Sequence, residues 1–157
     1  MCATNLYRMG VEFRTMASEG MAWPAPCEWC DVLPRRRLAG NPGAAERIMR
    51  EFVCPGAGEG RCHYAMNPAC RPGSPPDMVL LFETKAGWNQ SGGPELFTFD
   101  HHDAQGGFVP LNDGTVKFVL ERCMFGHHNP KGGLVLLHDG TVKFIRTKEE
   151  LKQLRWK

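Results

Sequence analysis

Cys27 and Cys30 stand two residues apart in the stretch CEWC, and Cys54 and Cys62 follow further along the chain. Four thiolates drawn from two short-spaced pairs can hold zinc tetrahedrally. The first pair has the usual spacing, whereas seven residues separate Cys54 from Cys62. Disulfides account for the same residues more readily, and spacing cannot choose among the three ways of pairing four cysteines. A thioredoxin-like redox role for Cys27 and Cys30 would need a βαβ setting that the flanking residues lack. With Cys2, Cys70 and Cys123 the chain holds 7 cysteines, many for a reducing compartment, and the odd count leaves at least one thiol over.

A second constellation lies in a repeat. HHDAQGGFVPLNDGTVKFV (101–119) returns as HHNPKGGLVLLHDGTVKFI (127–145), with twelve of nineteen positions identical at an offset of 26. If the two copies pair side by side, equivalent loops lie about 5 to 10 Å apart. The imidazoles of His101, His102, His127, His128 and His138 could then converge on a transition metal, or Asp103, Asp113 and Asp139 on calcium. The plainer account is that the aspartates are turn residues and the histidines flank surface glycine loops. Duplication alone makes the histidines recur, so no tight metal site is expected there.

The elements that must position these residues follow from periodicity. Cys2, Leu6, Met9, Phe13 and Met16 are spaced by four, three, four and three, the stripe of a helix over 2–18. It ends before Trp23-Pro24-Ala25-Pro26, and its abrupt, uncapped start suggests a helix that begins further upstream. Asn41-Pro42 reads as an N-cap followed by proline at the first helical position, opening a helix with Ala45, Ile48, Met49 and Phe52 inward. Gly and Pro dominate residues 55–77, which are read as loop. MVLLFET, from Met78, is a near-continuous apolar run and predicts a central strand; ELFTF, from Glu95, predicts another. Each repeat copy predicts a β-hairpin turning at Asp113-Gly114 or Asp139-Gly140, with both turn residues at positive φ, so that duplication widens one sheet by two strands. Thr147-Lys148-Glu149-Glu150 is a capping box for a short last helix with Leu151, Leu154 and Trp156. The expectation is one α+β domain over 1–157. It comprises an N-terminal helix (2–18) packed on an antiparallel sheet (78–146), a Cys/Gly/Pro-rich loop and helix region (19–77), two tandem Asp-Gly β-hairpins and a short C-terminal helix (147–157).

The order of short motifs carries a resemblance. Cys2-Ala3-Thr4-Asn5-Leu6 is followed by Trp29-Cys30-Asp31, Phe52-Val53-Cys54-Pro55 and Tyr64-Ala65-Met66-Asn67. Val79 to Thr84, Gly87 to Asn89, Gly92 to Glu95, the His and Asp-Gly hairpin and Glu149 to Trp156 complete the series. This order, over nearly the whole chain, resembles the pilin-like (pseudopilin-type) bacterial proteins with a C-terminal His to Asp-Gly signature. Ten residues separate His102 from Asp113 and His128 from Asp139, where that family has nine, and the second hairpin is an extra copy. The resemblance implies a non-catalytic structural protein, the soluble head of a subunit that associates with its own kind or with related pilin-like subunits. It implies an apolar anchor ahead of Cys2 as the only membrane contact, and a place in the cell envelope or periplasm or at the cell surface; without that anchor the expected place is the cytoplasm. The alternative is a small zinc-binding or redox module built on the cysteines or the tandem histidines.

Other classes find little support. A formal net charge of +2 offers no field for nucleic acid, and Arg35-Arg36-Arg37 is a short run that reads as a solvated loop or helix end. There is no run of eighteen apolar residues. No G-x-S-x-G, P-loop, H-E-x-x-H or Rossmann glycine pattern occurs, so no enzyme is expected. Trp23, Trp29, Trp88 and Trp156 read as core or loop anchors.

Overall fold

The structure, a computed structural model, describes residues 2–102, 107–110, 116–119 and 132–157. Helix α1 (Cys2–Ser18) buries Cys2, Leu6, Met9, Phe13 and Met16, the stripe expected from the spacing, with Gly10 on the same face. Each of the larger side chains contributes about 1.5 to 3 kcal/mol on full burial. Gly10 lies on that line because a side chain there would meet Leu136.

The stripe rests on a four-stranded antiparallel sheet ordered β1 (Tyr64–Met66), β2 (Val79–Glu83), β5 (Gly133–Leu137) and β6 (Val142–Ile145). All five residues of β2 are buried, as expected of a central strand. The register between β2 and β5 slips between Val79 and Leu81, so Leu80 is an extra residue. Leu80 and Leu81 therefore both join the core under α1, while Val79 and Phe82 join a second core on the opposite face. That second core takes in Phe97, Leu151, Ile145 and Trp156, whose ring meets Phe82 edge-on. The slip thus sets which face each later β2 residue occupies, Glu83 included.

Helix α2 (Trp29–Gly40) was not expected from the sequence. It contains Pro34, and its own N-cap, Glu28, makes no side-chain cap bond. The cap comes from elsewhere: Asn89 Oδ1 accepts from the Cys30 amide at 2.7 Å. Asn89 takes a left-handed backbone (φ 52) to do so, and its amide group donates to Asp31. The arginine run lies in this helix, with Arg37 clasped by Glu12 and Glu51 rather than solvated. Asn41 then closes α2 through its backbone amide to Leu38. Its side chain makes no cap bond to the next turn; Pro42–Ala44 is a 3-10 turn leading into α3 (Ala45–Arg50).

Three expectations about strands change. Within the expected loop 55–77, Tyr64–Met66 forms β1 because its amides find Leu81 to Glu83 as partners. Glu95 to Phe99 is no strand: Pro94–Leu96 makes a 3-10 turn, and Phe97 keeps a single bridge to Thr84. The two hairpins do not widen one sheet. β3 (Gly107–Pro110) and β4 (Val116–Val119) pair with each other in a separate two-stranded sheet, while β5 and β6 join the main one.

At the second turn Gly140 (φ 94) is left-handed, but Asp139 is not. Gly140 N–H donates to Leu137 and Leu137 N–H to Thr141, which makes a three-residue turn needing positive φ only at its last position. Asp139 Oδ1 accepts from Thr141 N–H. The Asp113-Gly114 turn lies outside the described residues. Helix α4 (Lys148–Lys152) is capped by the Thr147 side chain, which accepts from Glu150 N–H. The Glu150 carboxylate returns to the Arg146 amide, one residue ahead of the expected one.

Candidate functional site

Four elements converge at the first turn of α1. Cys2 projects from its buried face, and Cys54 follows α3 in the turn of Phe52-Val53-Cys54-Pro55. Glu83 is the last residue of β2, turned toward α1 by the slip at Leu80 and fully buried. His102 is the second residue of the first repeat copy, its backbone bridged to Gly132, the sixth residue of the second. One ligand atom from each of these four lies within 4.8 Å of every other.

The separations are specific. Cys2 Sγ and Cys54 Sγ are 2.7 Å apart, and Cys54 Sγ is 3.7 Å from His102 Nε2. His102 Nε2 is 2.9 and 3.0 Å from the two Glu83 oxygens. Glu83 also accepts from Leu134 N–H at 2.7 Å. A carboxylate removed from water needs such partners. His63 Nδ1 accepts from the Cys54 amide at 3.3 Å, so its Nε2 carries the proton donated to the Glu59 carbonyl. These two bonds hold the Glu83 carboxylate and the Cys54 turn in place.

The groups act on each other's protons. The hydrogen bond with Cys54, with His102 helping, holds Cys2 down to about 5 against the effect of burial. That same bond, with burial, drives Cys54 upward. Hydrogen bonds with Cys2 and Glu83 push His102 up to about 10. The cluster therefore pairs one acidic thiol with a basic imidazole. On β1, Tyr64 pairs in register with Glu83 and is fully buried. Burial and the charges of Cys2, Glu83 and Cys54 keep its phenol protonated, hence a donor.

Close approach of two loops makes the site. A Cβ on Gly56 would run into the His101 carbonyl oxygen and come within 3.4 Å of His102 Nδ1. At Gly133 it would strike the Thr98 carbonyl, and at Gly132 the Phe144 ring. Gly133 of the second repeat copy thus lets the segment leading to His102 cross it. Gly56→Ala should move the Cys54 turn off His102 and cost about 1 to 3 kcal/mol. Urea unfolding checks this, and an unchanged midpoint would refute the contact.

The sequence-predicted cysteines do not meet as one set of four. Cys54 belongs to the cluster, but its thiol partner is Cys2, which the sequence had placed only in the helix stripe. Cys30 and Cys62 are buried with sulfurs 3.8 Å apart, held by Asn89 N–H and the Tyr64 carbonyl. Cys27 is exposed, away from the other three because it precedes α2 on the surface. The six described cysteines are free thiols. Of the histidines, His102 is in the cluster and half-buried rather than on a surface loop. His101 packs edge-on against His63, and burial lowers its pKa. His138 lies against Trp23. His127, His128, Asp103 and Asp113 lie outside the described residues. Glu83 escaped sequence reading because it sits inside an apolar strand; a lone acid in such a run was the available signal.

No protein-family model, curated protein or solved structure matches this chain. All four tryptophan indoles donate to protein groups, namely the Phe13, Gln90 and Leu151 carbonyls and the Asp31 carboxylate. They serve as anchors. Among the described residues no helix is long and apolar enough to cross a membrane.

Proposed function

We propose that this chain is the head of a pilin-like subunit, a structural protein that works by assembly with its own kind or related subunits rather than by catalysis. One observation carries the reading: a seventeen-residue N-terminal helix laid by a single apolar stripe across a four-stranded antiparallel sheet. In such a subunit the helix is the lower end of a spine, and the sheet faces outward.

The motifs behind the resemblance support it by how they meet in space. Trp29-Cys30-Asp31 and Gly87-Trp88-Asn89 are far apart in sequence, yet Asp31 accepts from both Trp88 Nε1 and Asn89 Nδ2. Asn67 of the Tyr64-Ala65-Met66-Asn67 motif donates to the carbonyls of Val79 and Trp156. Motifs locked together in pairs are parts of one scaffold, as a family-wide framework requires.

On this reading the subunit resides in the cell envelope or at the surface, and its membrane contact runs through a segment ahead of α1. Intact mass and N-terminal sequencing of the protein from its native source test it. The expected result is a processed apolar segment continuous with α1. A native chain beginning at Met1 would refute the subunit assignment while leaving the fold as described.

A further inference from the structure

We propose that Cys2, Cys54, Glu83 and His102 form a closed zinc site that ties the first turn of α1 to the sheet. The donors decide the metal class. Two thiolates, an imidazole and a carboxylate are soft to borderline ligands suited to zinc, whereas calcium takes six to eight oxygens. Among the described residues this is the only group of at least three such side chains within reach of one ion.

The spacing fits with small movements. With ordinary zinc bond lengths, tetrahedral edges are about 3.8 Å between two sulfurs, about 3.6 Å between sulfur and nitrogen and about 3.3 Å between nitrogen and oxygen. The Cys54 to His102 edge is already 3.7 Å, and the His102 to Glu83 edge is 2.9 Å. The sulfur pair, at 2.7 Å, must open by about 1 Å, and the His102 to Glu83 edge by about 0.4 Å. Cys2, in the first helical turn, can rotate about its side-chain bonds to do so.

The surroundings suit an ion. Glu83 is fully buried, and three of the four ligands are shut from water. The second sphere is in place: His63 holds the Cys54 turn, and Leu134 N–H fixes the carboxylate. The buried Tyr64 lies on the strand beside Glu83. Binding forms four metal–ligand bonds and releases to solvent the protons still held by the thiols and the imidazole nitrogen, with no change of oxidation state. Four protein ligands leave no open position, so the ion is structural rather than catalytic. It clamps α1, the turn after α3, β2 and the head of the first repeat at one point.

The inference is independent of the assembly reading, since an ion can staple a subunit head or a free domain. The test is metal analysis of protein purified with its thiols reduced, followed by cobalt(II) titration. The expected result is about one zinc per chain, replaced by cobalt with the intense thiolate charge-transfer bands of a tetrahedral site. Cys2→Ser, Cys54→Ser and His102→Ala should each abolish stoichiometric binding, and Cys27→Ser should retain it. Should those variants fail to fold, the cobalt spectrum of the unaltered chain still decides. A pale octahedral spectrum, metal kept in all three variants, loss of metal confined to Cys30 or Cys62 variants, or a Cys2–Cys54 disulfide in the peptide map of the native protein would each overturn the site.

Discussion

Trp29→Ala lowers the stability of this fold by about 4 kcal/mol or more, the largest effect expected of any single truncation. Trp29 opens α2 fully buried, stacked at a tilt on Phe52 among Leu33 and Ile48. Large aromatic deletions in a core cost about 3 to 5 kcal/mol through lost transfer energy and the cavity left behind. The indole N–H also donates to the Gln90 carbonyl at 3.0 Å, a bond lost with the ring, although that carbonyl keeps the Met66 N–H. Against a total near 5 to 15 kcal/mol for a domain, most of the margin goes. Urea unfolding measures it, with the half-exposed Val11→Ala as a control expected within about 0.5 kcal/mol of the parent. Equal midpoints for the parent and Trp29→Ala would mean that α2 does not pack as described.

Glu51→Gln is expected to cost about 2 to 3 kcal/mol at neutral pH. Glu51, just beyond α3, is buried and holds Arg37 of α2 and Arg8 of α1 at once, the latter at 2.9 Å. One carboxylate thus joins three helices. Breaking a buried pair leaves the partner charge uncompensated, at about 3 to 5 kcal/mol. The lower figure follows because Arg8 is half exposed and Arg37 keeps Glu12 at 3.6 Å.

The effect depends on pH with a definite sign. Burial opposes ionisation of Glu51, but Arg37 and Arg8 outweigh it and hold its pKa below the ordinary carboxylate value. A group with a depressed folded pKa stabilises fully above its unfolded pKa, and that contribution fades as pH falls through the folded value. The gap between parent and Glu51→Gln should therefore be widest at neutral pH and close in acid below the carboxylate range. A gap that stays constant from neutral to acid would show that Glu51 is not held ionised by the arginines.

The parts of this molecule that could be read from sequence are those whose causes are local. The stripe of α1 was legible because helical spacing forces Leu6, Met9, Phe13 and Met16 onto one face, whatever they meet. The centrality of β2 was legible because a strand apolar at every position must be covered on both sides. Thr147 marked the start of α4 because a cap bond spans three residues. Position 140 marked a hairpin because glycine adopts positive φ at low cost, although the turn proved to need it once rather than twice.

Whatever depended on distant partners was decided by tertiary structure. Helix α2 has an interior proline and an uncapped start; Asn89, fifty-nine residues away, supplies the cap that local sequence lacks. The two repeat copies share twelve of nineteen positions, yet one pairs into the main sheet and the other into a sheet of its own. Shared local preferences set each hairpin but not its neighbour. The cluster shows this most clearly, because short spacing drew attention to Cys27 and Cys30, whereas chain packing brought together Cys2, Cys54, Glu83 and His102. Ligand spacing in sequence reports a site only when one loop supplies the ligands. Here a helix, a turn, a strand and the head of a repeat each supply one, and only the slip at Leu80 and the close approach at Gly56 aim them at a common point.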